Sequence, residues 1–258
     1  MLNEQTLEKL RKLKLHPIID SAHSLQALPG TASMSHDEWL AVIVDHLYEA
    51  KCSIRLENLI KGASLGCPDA YMEDLCLDSD RCIDHGLVAR FVAGGYIAKG
   101  HNIIVLSAAG GGKTWFASAL GLAACRQFVK VKYVNYRDML DELALVRPNP
   151  EKHKRLIAQL VRVPVLIADD WLLKDAGAGD FDELFAVIDG RTRARKSTIL
   201  CSQYQIEGWP RRMGGYPAAE SVVDRIKNNA YVIELKGDIS MRERYMDEEL
   251  RSHAKQQS

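Results

Sequence analysis

Long hydrophobic runs are missing from this chain of 258 residues. No apolar stretch reaches the roughly 20 residues needed to cross a bilayer. The opening MLNEQTLEKLRKLKL is a charged amphipathic helix without the apolar core or cleavage site of a signal peptide. A cytoplasmic protein with no membrane partner is expected. An excess of either charge is missing too, since 34 Lys+Arg meet 34 Asp+Glu. A zero total does not exclude nucleic-acid binding, because clustering of the basic residues matters more than their sum. Paired C-x-x-C knuckles are missing among the six cysteines, so Cys67, Cys76 and Cys82, with His85 nearby, make a poor zinc site. Cys125 and Cys201 lie in apolar periodic segments and read as small core residues in a reducing compartment. Internal repeats and low-complexity segments are missing as well. What remains is an ordinary globular chain, 47% hydrophobic and 26% charged, long enough for one large domain with an appendage.

Two compositional regimes divide it. Residues 1–75 read as a helical N-terminal domain, an adaptor for DNA or a partner. Leu2, Leu7, Leu10, Leu13 and Leu15 recur near helical spacing, and a break follows at Leu28-Pro29-Gly30-Thr31. A further helix is expected behind Ser35, a capping residue with Glu38 three positions on, running through Trp39, Val42, Ile43, Leu47 and Tyr48. From residue 76 to 258 short apolar runs alternate with helical stretches. Asn102–Leu106, Val129–Asn135, Val163–Ala168, Ser197–Ser202 and Tyr231–Leu235 are five strand candidates, and each of the first four precedes a helix. Apolar strands alternating with helices predict an α/β domain with a parallel sheet covered on both faces. Arg147-Pro148-Asn149-Pro150-Glu151 is a break inside it.

The stretch VLSAAGGGKTW, Val105 to Trp115, carries the first chemical signal. A P-loop has glycine, four free positions and then Gly-Lys-Thr or Gly-Lys-Ser. Here Ser107 stands at the first glycine, followed by Ala108, Ala109, Gly110, Gly111, Gly112, Lys113 and Thr114. The loop falls between the strand Asn102–Leu106 and a helix expected over Lys113–Phe128, where backbone N–H groups and a helix N-terminus would face a phosphate. Lys113 would reach the β- and γ-phosphates of ATP, and the Thr114 hydroxyl would ligate Mg²⁺. Serine at position 107 is expected to strain the loop if the turn needs positive φ there.

VPVLIADDW, Val163 to Trp171, is an apolar strand closed by two acids, the form of a Walker B motif. Asp169 would hold Mg²⁺ through water, and Asp170 would polarise the attacking water. A single acidic pair at a strand end is often just a helix cap; together with the P-loop it is not. Ser202 and Gln203 end the strand expected beside that of the P-loop, near the γ-phosphate. Arg225 and Arg242 flank the last strand and are candidates to stabilise the transferred phosphoryl group, in the same subunit or from a neighbour; surface ion pairing is the plainer reading.

These residues resemble the IstB/DnaC-like branch of the AAA+ ATPases over nearly the whole chain, through MLNEQTLEKLRKLKL, GKTWFASALGLAACRQ, LDELALVR, LIADDW, STILCSQ, DRIKNNAYVIEL and SMR. The resemblance implies an AAA+ P-loop domain with a five-stranded parallel sheet and no full C-terminal lid. It also implies an ATPase that assembles into a homo-oligomer dependent on ATP and double-stranded DNA, and that works with a partner transposase of the IstA type in the bacterial cytoplasm. A helicase loader is the alternative within the family, and a catalytically dead adaptor is the alternative outside it. By the same resemblance Ser202 or Gln203 is the sensor-1 residue, Arg225 the interfacial arginine finger and Arg242 the sensor-2 arginine. The chain departs from the family at Ser107, at Ala108-Ala109, and at Leu172, where glycine is common. Two basic clusters are candidate DNA contacts: Arg191, Arg193, Arg195 and Lys196, and Lys152, Lys154 and Arg155. A solvated helix face is the plainer reading of each.

Overall fold

The structure is a computed structural model and describes residues 3–27, 34–75 and 84–236. The chain divides into two compact units, Met1–Asn58 and Leu59–Ser258.

The first unit is helical, with α1 (Glu4–Lys12), α2 (His16–Ala27) and most of α3 (His36–Ala63). Asn3 caps α1 by accepting from the Thr6 N–H at 2.8 Å. The expected capping of α3 is present in reciprocal form: the Ser35 N–H donates to Glu38 Oε2 at 2.8 Å, and the Glu38 N–H donates to Ser35 Oγ at 3.3 Å. Ala22, Leu25 and Ile43 form its small core, with Trp39 and Val42 packed against them.

The second unit is built on α4 (His85–Val92), α5 (Gly95–Lys99), β1 (Asn102–Leu106), α6 (Lys113–Arg126), β2 (Val131–Asn135), α7 (Tyr136–Val146), α8 (Pro150–Arg162), β3 (Val165–Asp169), α9 (Ala178–Arg193), β4 (Ser197–Ser202), α10 (Trp209–Arg212), α11 (Pro217–Lys227) and β5 (Ala230–Glu234). All five strands are parallel, in the order β2-β3-β4-β1-β5. The three central strands are buried at every position, as a sheet covered on both faces requires. One face packs on α6, which is buried from Phe116 to Cys125. On the other lies a cluster including Tyr136, Trp171, Phe181 and Trp209.

Strand and helix ends shift from expectation for local reasons. Helix α6 stops at Arg126 because Phe128 turns left-handed (φ 59°), and the Val129 N–H still donates to Ala124, which delays β2 to Val131. Strand β3 begins at Val165 because Pro164 has no N–H for the ladder, although its carbonyl accepts from Ser197. The break at 147–151 separates α7 from α8, with Asn149 as N-cap and Pro150 in the first turn.

The thiols of Cys125 and Cys201 are buried and held well above the usual cysteine range by burial, so both are inert core residues. Cys76 and Cys82 lie outside the described residues, and no metal-holding group of His, Cys, Asp and Glu occurs among those described.

Candidate functional site

The site forms where β1, β3 and β4 end on one edge of the sheet. Leu106 and Ser202 are register partners, and the Ser107 N–H donates to the Ser202 carbonyl at 3.2 Å, so the P-loop leaves the sheet beside the end of β4. Gly110 and Gly112 take left-handed backbone (φ 81° and 89°), and Lys113 then starts α6 with no side-chain cap on its first turn. Uncapped N–H groups at the positive end of a helix dipole suit a phosphate.

Ser107 is not left-handed, so the strain expected there does not arise. The demand for glycine falls elsewhere in the loop. A Cβ on Gly111 would lie 1.7 Å from Ser107 Oγ and 2.9 Å from Ser107 Cβ. Ser107 fills the space that keeps Gly111 without a side chain. Ala108 and Ala109 are exposed on the loop. The Lys113 ammonium donates to the carbonyls of Ser107 and Ala108, both at 2.9 Å, folding the side chain back over the loop.

Opposite the loop, Thr114 Oγ1 donates to Asp169 Oδ2 at 2.6 Å. A hydroxyl and a carboxylate that meet in this way are hard oxygen donors of the type Mg²⁺ prefers. Two further residues, missed in the sequence, complete the group. Tyr133 OH donates to the same Asp169 oxygen at 2.8 Å, and Asn135 Nδ2 donates to Asp170 Oδ2 at 3.0 Å. Burial first, and the Asp169 charge second, push the Tyr133 hydroxyl above its ordinary range, so it stays a donor. The two sit at alternate positions at the end of β2, and Asn135 is the register partner of Asp169. Polar residues closing a parallel strand were the available signal.

Past Asp169 the chain turns sharply. Asp170 (φ 53°) and Leu172 (φ 60°) are both left-handed, and between them Trp171 donates its N–H to the Cys201 carbonyl at 2.7 Å. Ser202 is fully buried; its hydroxyl donates to the Trp171 carbonyl at 2.9 Å and accepts from the Tyr204 N–H. Gln203 is exposed and donates from Nε2 to Tyr204 OH at 3.0 Å.

The P-loop, Asp169, Asp170, Ser202 and Gln203 are thus brought together. Arg225 is not. It lies in the last turn of α11, just before β5, whose first residue, Ala230, is in register with Asn102 at the start of β1. Four strand steps, about 13 Å, separate that edge from Leu106. There the Arg225 guanidinium pairs with Asp189 at 2.9 Å. Arg242 lies outside the described residues.

Of the first basic cluster only Arg191 is withdrawn from the surface; Arg193 and Arg195 are exposed and Lys196 is half-buried. Arg191 is 1% exposed, and its guanidinium donates to the carbonyls of Leu160 (2.6 Å), Val163 (2.9 Å) and Ser197 and to Thr198 Oγ1 (2.9 Å). It staples the end of α8 to the start of β4, and burial pushes its pKa down to about 9. Arg193 pairs with Asp189 at 2.7 Å.

A family model described as "IstB-like ATP binding protein" matches residues 8–248. The chain belongs to that family. An ATP-binding protein named for insertion sequence IS1162 of Pseudomonas fluorescens is 36% identical over 79% of this chain and 87% of its own. A Sinorhizobium fredii protein named for ATP binding in an insertion sequence is 31% identical over 94% and 96%. Among solved structures, DnaI covers 66% of this chain and 89% of its own at 22% identity, with a TM-score of 0.52. DnaA of Aquifex aeolicus bound to AMPPCP covers 72% and 56% at 19% identity, with a TM-score of 0.56. These two likenesses concern the fold, an AAA+ P-loop domain with a five-stranded parallel sheet. No helix among the described residues is long and apolar enough to cross a membrane.

Proposed function

We propose that this insertion-sequence ATP-binding protein hydrolyses ATP with Mg²⁺, assembles on double-stranded DNA as an ATP- and DNA-dependent homo-oligomer, and recruits or activates a partner transposase in the bacterial cytoplasm. The observation that carries the reading is the 2.6 Å contact between the Thr114 hydroxyl and the Asp169 carboxylate beside an uncapped helix N-terminus. Bound Mg–ATP would supply a γ-phosphoryl group whose developing charge the metal offsets.

This chain's residues do the rest. The loop amides of 107–114 and the Lys113 ammonium would hold phosphate, and Thr114 and Asp169 would hold the metal, Asp169 through water. Asp170 orients the attacking water and takes up its proton. Asn135 is a positioning residue, since its amide fixes the Asp170 carboxylate. Ser202 supports the turn through the Trp171 carbonyl, which leaves Gln203 as the better sensor-1 candidate. Arg225, on the opposite sheet edge, serves the nucleotide of an adjacent subunit, and Arg242 serves as the sensor-2 arginine.

Relatives named for insertion sequences favour a transposition role over helicase loading. The test is Lys113→Ala by light scattering with ATP and duplex DNA. The variant should show no ATP-dependent increase in size, and unchanged assembly would overturn the reading. A pull-down that retains a replicative helicase rather than transposase would redirect it to loading.

A further inference from the structure

A groove of about 930 Å³ runs along strand β2 and helix α8 in the second unit, away from the P-loop. Strand β2 is an edge strand of the sheet and pairs only with β3 among the described residues. Five cations line the groove from two walls: Lys130 and Lys132 from the strand side, and Lys154, Arg155 and Arg162 from the helix. All five are exposed. Glu142 and Glu151 are the carboxylates among the lining residues.

What sets these cations apart is that five of them line the two walls of one groove. Elsewhere in the unit Arg126, Arg137, Arg147, Arg193, Arg212 and Arg225 each pair with a carboxylate. None of the five in the groove makes an ion pair among the described residues. Water and salt screen these exposed charges, yet five cations against two carboxylates give the groove a positive potential that draws a polyanion. Their spacing suits a repeating anion. Lys130 and Lys132 are two residues apart along extended chain, about 6.6 Å, and Lys154 to Arg162 spans about 12 Å of one helix face. The groove has no aromatic lining residue on which an unpaired base would stack.

We infer that the β2–α8 groove holds the phosphate backbone of duplex DNA, with Lys130, Lys132, Lys154, Arg155 and Arg162 as its contacts. This rests on the DNA-binding reading above and identifies the surface that performs it. Contacts of this kind are independent of base sequence and weaken steeply with salt.

The test uses the full chain with ATP and a fluorescein-labelled 40-base-pair duplex of arbitrary sequence, read by anisotropy across a salt series. Lys132→Glu/Arg162→Glu should weaken binding at least tenfold at 100 mM salt and reduce the slope of log affinity against log salt by about 2. Fluorescent ATP-analogue binding and melting temperature should match wild type, which separates lost contacts from a lost fold. Arg90→Glu/Lys99→Glu, an equal charge reversal on exposed residues of α4 and α5, should change affinity less than twofold. If the groove variant keeps wild-type affinity and slope while wild type binds DNA, the assignment to this groove falls and the DNA reading stands. If wild type binds no DNA, both fall. If the groove variant keeps DNA but loses a labelled poly-glutamate peptide that wild type binds, the groove is a peptide site and the assignment is overturned.

Discussion

The P-loop and the turn after Asp169 each carry a larger residue where the family resemblance leads one to expect glycine, and the backbone treats the two in opposite ways. At Ser107 the chain is not left-handed, and the side chain is accommodated by the bare Cα of Gly111. At Leu172 the chain keeps the left-handed shape glycine would favour (φ 60°), and the leucine adopts it while fully buried. A missing glycine therefore matters only where the backbone still needs one. Left-handed backbone costs a leucine about 1–2 kcal/mol, and burying its side chain returns about 2–5 kcal/mol relative to alanine. Burial wins, so Leu172 is tolerated with its strain.

The largest expected effect breaks the P-loop half of this comparison. Gly111→Ala forces a Cβ against Ser107; overpacking of about 1–3 kcal/mol predicts ATP affinity down about tenfold or more by fluorescent-nucleotide titration. Ser107→Gly in the same chain should restore most of that loss, and no rescue would contradict the Ser107–Gly111 account. Next is Asn135→Ala, which frees Asp170 from its amide. Steady-state phosphate release should fall about tenfold with ATP affinity unchanged, and an equal loss in both would mean that Asn135 shapes the loop instead.

The Leu172 half is tested by sign. At an ordinary buried position glycine is worse than alanine by about 0.5–1 kcal/mol. At Leu172 the order should reverse, with Leu172→Gly more stable than Leu172→Ala by about 1 kcal/mol in urea melts. A more stable alanine variant would remove the strain argument. The smallest effect is Ser107→Gly alone, expected within about 0.5 kcal/mol of wild-type stability and within twofold of its ATP affinity.

Features carried by consecutive residues were legible in the sequence. The apolar runs of β1 and β4 and the Gly112-Lys113-Thr114 and Asp169-Asp170 stretches all fall where their order in the chain requires. Features that depend on register were not. Tyr133 and Asn135 act on Asp169 and Asp170 only because β2 lies beside β3 with Asn135 level with Asp169. The run GRTRARKST misled for a related reason. Charge in a sequence reads as surface, yet Arg191 is satisfied inside the fold by carbonyls at the end of α8 and the start of β4. The sequence singled out Lys154 and Arg155 of the basic groove, but no single window unites them with Lys130, Lys132 and Arg162. Pro164 and the left-handed Phe128 set strand and helix ends that hydrophobic pattern alone places one or two residues off.

The central claim is that the altered loop still serves a hydrolytic site, with Asp170 as its base. It is tested most directly by phosphate release from Asp170→Asn beside wild type, at saturating ATP, Mg²⁺ and duplex DNA. Wild type should turn over. The variant should bind ATP within about threefold of wild type yet release phosphate at least about a hundredfold more slowly. Normal phosphate release from Asp170→Asn, or none from wild type, would contradict the account.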